Sequence, residues 1–369
     1  MSNKKEKGYK AKNAWLEMED VERKEIFDFN QEYADFLTEN KTEREFVRSS
    51  IELLESEGFK PLDTVDKLKT GDKIYSVNRE MELIAAVIGK KELTDGLHIV
   101  GAHMDSPRID LKPNPLFEKD GLSFLDSHYY GGIKKYQWVT IPLAIHGVVV
   151  KEDGSKVDIN IGEADEDPVF YISDLLPHLG KDQMQKKMSE GISGEHLNII
   201  IGSIPLKDDD EEEKVKAAIL KLLEEKYDIT GEDFVSADLE IVPAFKTRDV
   251  GFDRGLLAGY GHDDRICSYT ALRAVIDLEQ PEHTAVALLV DKEEIGSMGS
   301  TGMKSRFFEN TVAEMVNSAY DNYNDLLLRK VLQNSEAISA DVNAAYDPDF
   351  ADVYTKSNSA FLNKGIVLT

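Results

Sequence analysis

The sequence predicts an α/β fold split around an inserted β-rich segment, and three observations carry that prediction. Two apolar runs end abruptly in polar groups: Leu97-His-Ile-Val-Gly-Ala-His103-Met-Asp105, and Thr284–Val290 followed by Asp291-Lys-Glu293-Glu294-Ile-Gly-Ser297. Strands of an α/β sheet present ligand-binding groups beyond their carboxyl ends, and both runs have that shape. Between them, residues 109–250 change texture. Pro113, Pro115, Gly121, Gly131, Gly132 and Pro168 punctuate short alternating segments, as in an all-β region.

Taken in order, residues 15–58 read as helical, with Phe36, Leu37, Phe46, Val47, Ile51, Leu53 and Leu54 at helical spacing. Thr42 and Glu45 form a capping box after Asn40, and Gly58 closes the helix. Residues 73–90 read as a hairpin turning at Asn78-Arg79. Residues 139–150 and 157–161 alternate across a turn at Asp153-Gly154 and predict a second hairpin. The six acids at 208–213 read as a solvated loop leading into a helix at 215–227. After Asp263-Asp264, the positions Ile266, Tyr269, Leu272, Val275 and Ile276 predict an amphipathic helix that Pro281 ends. Residues 311–320 fit a strand or a helix, and 331–340 lead into Asp341. The apolar run at 365–368 reads as strand-like and is an abrupt ending at Thr369.

With 369 residues the chain is long for one core, so two domains are expected. A hydrophobic fraction of 41% and a charged fraction of 31% describe a globular protein rather than a disordered one. The formal charge of −26 argues against nucleic acid or an anionic membrane as partner. A single cysteine, Cys267, excludes an internal disulfide and fits a reducing compartment. The basic start lacks the apolar stretch of a secretory signal, and no run is long enough to span a membrane. The expected location is the cytoplasm.

The polar strand ends supply the candidate chemistry. His103 and Asp105 are two apart and share a face on a strand, and a carboxylate there suits orientation of a metal-binding imidazole. Asp263 and Asp264 precede a helix. One would suffice as an N-cap, leaving the other free to bridge cations. Glu293 and Glu294, if extended, point to opposite sides, so that one binds a metal while the other faces a water. Each cluster also has a plain reading: a loop acid, a helix cap, a solvated turn. Together, His103, Asp264, Glu294 and Asp341 form a mixed histidine–carboxylate set suited to zinc, manganese or cobalt, with Glu293 free as a base. No Gly-x-Ser-x-Gly elbow or Gly-x-x-x-x-Gly-Lys loop competes.

At these residues the chain resembles the aspartyl-aminopeptidase family of di-zinc exopeptidases, in its bacterial branch. The matching pieces, in order, are Gly101-Ala-His-Met-Asp-Ser-Pro107, Tyr130-Gly-Gly-Ile133, Gly261-His-Asp-Asp-Arg265, Asp291-Lys-Glu-Glu-Ile-Gly-Ser297 and Ser339-Ala-Asp-Val342. The resemblance implies a zinc-exopeptidase-like catalytic domain with a mixed central sheet, formed by residues 1–108 and 251–369. It implies a β-rich domain at 109–250 that serves oligomerisation and substrate access. It implies two zinc ions, with cobalt or manganese as substitutes. Of these, His103 and Asp341 would hold one, Glu294 the second, and Asp264 would bridge both. Asp105 would orient His103, and Glu293 would be the general acid/base that releases N-terminal residues from peptides. His178 would reach a neighbouring subunit's site and Lys356 would face the substrate pocket. Assembly into a tetrahedral dodecamer is implied as well.

The family's last metal ligand is a histidine near its C-terminus, whereas the last histidine here is His283. The expectation is therefore a truncated form that holds its second zinc poorly. Two other readings follow: a related di-zinc deacylase, or an impaired form acting only in assembly.

Overall fold

The computed structural model describes residues 11–207 and 211–369. The basic first ten residues and positions 208–210 of the acidic run lie outside the described residues. Helices α1 (Asp20–Glu39) and α2 (Glu43–Ser56) divide the stretch expected as one helical region. The division falls at the capping box. Thr42 Oγ1 accepts the Glu45 N–H at 3.2 Å, and Glu45 Oε2 accepts the Thr42 N–H at 3.1 Å. Gly58 follows in the left-handed region, with φ +85°.

Strands β1 (Lys60–Pro61), β2 (Lys73–Asn78), β3 (Glu82–Val87) and β4 (Leu97–His103) come next. The β2–β3 turn places Arg79 and Glu80 at φ 52° and 62°, the backbone that matches strand twist in a tight hairpin. The following segment forms β5 (Arg108–Lys119), β6 (Leu122–Tyr130), β7 (Leu143–Val150), β8 (Lys156–Ile161), the short α3 (Met188–Gly191), β9 (Ile199–Gly202), α4 (Lys214–Tyr227) and β10 (Ala237–Pro243). The chain continues through the two-stranded ribbon β11 (Arg248–Val250) and β12 (Leu256–Ala258), then α5 (His262–Ile276) and β13 (Thr284–Val290). It finishes with α6 (Phe307–Ala319), α7 (Asp325–Asn334) and β14 (Glu336–Ser339). The 311–320 stretch is thus helical. The 365–368 run forms no strand, and Ile366 and Leu368 are 92% and 89% exposed. Four apolar residues make a strand only when paired, and this run pairs with none of the described strands.

The central sheet has the order β1-β2-β3-β13-β4-β14, with β13 antiparallel to β3 and parallel to β4. All seven residues of β13 are buried because helices cover both faces of the sheet. Ala287 and Leu289 pack with Phe46, Leu37 and Leu272 beneath α1, α2 and α5. Val286, Leu288 and Val290 pack with Val312, Met315 and Val331 beneath α6 and α7. Among the described residues no helix is long and apolar enough to cross a membrane.

The second sheet, β8-β7-β10-β5-β6-β9, is antiparallel throughout and has its own core around Ile109, Leu143, Ile172 and Ile241. The N-terminal end of α2 docks on it through buried charges. Lys41 Nζ lies 2.6 Å from Glu163 Oε1 and 2.8 Å from the Pro243 carbonyl. His146 stands between Glu45 (2.7 Å) and Glu163 (3.0 Å). Arg108 meets Glu43 at 3.2 Å, Glu240 at 3.1 Å and Asp110 at 2.8 Å. Removing one member of such a buried set leaves an uncompensated charge, so the two sheets are held in a fixed relation.

Candidate metal centre

His103 is the last residue of β4, and the chain turns directly after it. Its Nδ1 lies 3.0 Å from the Asp105 carbonyl oxygen and 3.2 Å from Asp105 Oδ1. Both are acceptors, so Nδ1 carries a proton. Nε2 is then the lone pair of the neutral ring, directed at Asp263 Oδ1 (3.5 Å) and Glu293 Oε2 (3.8 Å).

Asp105 is fully buried and collects four donors. Oδ1 faces His103 Nδ1 and accepts the Glu293 N–H at 3.1 Å. Oδ2 accepts the Glu294 N–H at 3.1 Å and the Tyr130 hydroxyl at 2.7 Å. Burial opposes its charge, but the hydrogen bonds to His103 and Tyr130 outweigh that and hold its pKa below the ordinary value.

The Glu293-Glu294 segment is not extended. It is one turn of 3-10 helix, Glu293–Ile295, bounded by Lys292 at φ 66° and Gly296 at φ 92°. The two side chains therefore do not diverge as an extended segment requires, and one oxygen of each lies within 4.8 Å of the other and of a His103 ring nitrogen. Gly131 lies against this turn, next to Glu294.

Of the two adjacent aspartates, Asp263 reaches His103, and with Asp341 it forms a second group whose ligand atoms lie within 4.8 Å of one another. The residue expected to bridge, Asp264, is in neither group. Its carboxylate is buried beside the Cys267 thiol, and neither oxygen has a hydrogen-bond partner in the protein. Non-helical backbone at both residues turns the two side chains to different environments. Neither serves as a helix cap, because Gly261 holds the cap position with no side-chain bond. Asp341 follows β14 and joins the His103–Asp263 group from the neighbouring strand end.

His178 and Lys356 are exposed and belong to neither group; the Lys356 ammonium lies 5.2 Å over the Tyr346 ring. The sequence marked the Asp263-Asp264 pair and the motif that begins at Tyr130, but gave neither Asp263 nor Tyr130 a role of its own. Spacing cannot distinguish adjacent aspartates, and a motif does not say which of its side chains points at the site.

The electrostatics call for a cation. Burial would lower the His103 pKa, but its hydrogen bond to Asp105 and the charges of Asp105, Asp264 and Glu293 raise it to about 9. Burial and the neighbouring carboxylates Asp263 and Asp105 push Glu294 up to about 7. Asp264 rises to about 7, first through burial and then through Asp341 and Asp263. Asp263 is raised for the same kinds of reason. One imidazole with the carboxylates of Asp263 and Asp341 on one side and of Glu293 and Glu294 on the other, the ligand atoms of each group within 4.8 Å of one another, is a donor set that fits a divalent transition metal.

Comparison with known proteins gives the same chemistry. The family model described as "Aminopeptidase I zinc metalloprotease (M18)" matches residues 36–369. A probable M18 family aminopeptidase 1 from Clostridium acetobutylicum is 54% identical over 360 residues, which cover 96% of this chain and 77% of that protein. The crystal structure of an M18 family aminopeptidase from Thermotoga maritima superposes with a TM-score of 0.92 at 44% identity, over 97% of this chain and 78% of that one. The Saccharomyces cerevisiae mApe1 dodecamer matches with a TM-score of 0.72 at 25% identity, over 91% of this chain and 76% of that one.

Proposed function

The chain belongs to the aminopeptidase I zinc metalloprotease (M18) family and is a zinc metalloaminopeptidase, and from that premise we propose a two-metal hydrolysis of N-terminal residues from peptides with Glu293 as general acid/base. The observation that carries the reading is the approach of Glu293, Glu294 and His103, all tied to the single carboxylate of Asp105.

In this reading His103 and Asp341 would hold one metal and Glu294 the other, with Asp263 in the role expected of Asp264. When bound, zinc, or cobalt or manganese in its stead, would supply Lewis acidity at this site. Glu293, half exposed at the open side of the group, takes a proton from the attacking water and passes it to the leaving amine as the C–N bond breaks. Asp105 keeps the proton on His103 Nδ1 so that Nε2 stays available.

We extend the proposal to the division of the chain. Residues 1–108 and 251–369 form the catalytic domain, and 109–250 form an inserted domain for oligomerisation and substrate access. His178 of one copy serves a neighbour's site, Lys356 contacts substrate, and the assembly is a closed homo-oligomer such as the dodecamer of the yeast protein. The cytoplasm is the proposed location.

The test is metal analysis combined with matched peptides carrying free or acetylated N-termini. The expected result is bound zinc and release of free amino acids from unblocked peptides alone, abolished by a chelator. Equal cleavage of acetylated peptides, or activity indifferent to chelation, would sink the proposal.

A further inference from the structure

Three of the four donors on Asp105 belong to groups that Asp105 itself holds in place: the His103 ring and the backbone of Glu293 and Glu294. These three lie within the site itself, on β4 and on the turn that follows β13. The fourth donor is different in kind. Tyr130 is the last residue of β6, in the other sheet, and its hydroxyl meets Asp105 Oδ2 at 2.7 Å inside the protein. The ring is itself held: it is buried, and the Arg108 guanidinium lies 4.0 Å from its centroid. Arg108 is in turn pinned by Glu43, Asp110 and Glu240.

We propose that Tyr130 is a positioning residue: its hydroxyl gives the Asp105 carboxylate a reference outside the catalytic sheet, and so holds His103 and the Glu293-Glu294 turn in their metal-binding arrangement. The inference rests on the metalloaminopeptidase reading above. Without the hydroxyl, Oδ2 keeps one donor where it had two, and a buried acceptor left short of partners drives local rearrangement. The carboxylate can then rotate, and rotation misaligns the imidazole and the two backbone N–H groups together. Partners of this outer kind typically change metal affinity or activity by ~10–100-fold when removed.

The experiment compares wild type, Tyr130→Phe, Asp105→Asn and the double variant. The readouts are zinc affinity by chelator competition, the visible spectrum of the cobalt-substituted protein, and kcat and KM separately. For Tyr130→Phe the expected result is zinc affinity or kcat reduced by ~10–100-fold, an altered cobalt spectrum and little change in KM. In the Asp105→Asn background, Tyr130→Phe should add no further loss, because the hydroxyl acts through that carboxylate. Zinc affinity, spectrum and kcat all at wild-type values in Tyr130→Phe would overturn the inference, as would fully additive losses in the double variant. A Tyr130→Phe chain that loses its fold would place the hydroxyl in folding rather than positioning, and would overturn it too. A wild-type chain that neither binds zinc nor cleaves peptides would overturn the metalloaminopeptidase reading along with it.

Discussion

Gly131 packs directly on Glu294: a Cβ at position 131 would sit 3.2 Å from both the Cβ and Oε2 of Glu294, on a backbone with φ +70°. Gly131→Ala therefore carries two penalties. The left-handed backbone costs about 1–2 kcal/mol for a residue with a Cβ, and Glu294 must shift by a few tenths of an ångström. The expected outcome is a measurable loss in denaturant stability together with weakened zinc binding in a chelator competition. Stability lost with zinc affinity intact would show that Glu294 tolerates the shift.

Glu293→Gln keeps the shape of the turn and removes the base. Its side chain is half exposed, so the substitution leaves no buried charge behind. We expect kcat to fall by ~10²–10⁴-fold while the metal content stays that of wild type. Unchanged turnover would remove Glu293 from the proton transfer.

The adjacent aspartates separate by comparison. Asp263→Asn removes an oxygen lying 3.5 Å from His103 Nε2, whereas Asp264→Asn alters a carboxylate that belongs to neither metal-capable group. Metal stoichiometry or affinity is expected to fall more in Asp263→Asn. The reverse order would restore Asp264 as the shared ligand.

Zinc uptake should strengthen with pH. Binding displaces the proton that His103 holds with a pKa near 9, and below neutrality also one from Glu294, whose pKa lies near 7. Affinity is expected to rise by ~10-fold per pH unit between those values, and more steeply beneath them. An affinity flat from pH 6 to 9 would contradict the proton count.

The seam between the sheets has its own pH dependence. Burial opposes charge on His146, but hydrogen bonds to Glu163 and Glu45 raise its pKa above the ordinary 6.5. That contribution is fully present below 6.5 and fades as pH climbs through the raised value. Burial likewise opposes Glu45 and Glu163, yet the His146 hydrogen bond lowers both beneath the ordinary 4.5. Their contribution is present above 4.5 and is lost as pH falls through the lowered values. Lys41, lowered by burial, gives the opposite slope at alkaline pH. Stability owed to the cluster should thus be greatest between about 4.5 and 6.5. In His146→Gln the decline above 6.5 should flatten when denaturation is followed against pH.

The secondary structure and the polar strand ends were legible because the sequence alternates and caps as regular elements do. Thr42 with Glu45, and the apolar run Thr284–Val290, announced their elements locally. What escaped was geometry set by a few backbone angles or by distant partners. Lys292 at positive φ converts an extended acidic run into a turn, and no residue preference flags a lysine for that conformation. The choice between Asp263 and Asp264 depends on the non-helical backbone of those two residues in the first turn of α5. Tyr130 meets Asp105 across 25 positions from the other sheet, a contact no periodicity encodes.

The central sheet also constrains how the chain can be made. Strands β3 and β4 follow one another in sequence but do not pair; β13, from almost two hundred residues later, fills the gap between them. Until that strand has left the ribosome, both neighbours expose an open edge of backbone flanked by apolar side chains, a surface prone to pairing with other chains. Closing so long a loop is slow, and the second sheet, with its own core, can fold first and shorten the distance to be closed. A nascent chain released before Val290 would keep those edges open, so protection during synthesis is a demand written into the strand order.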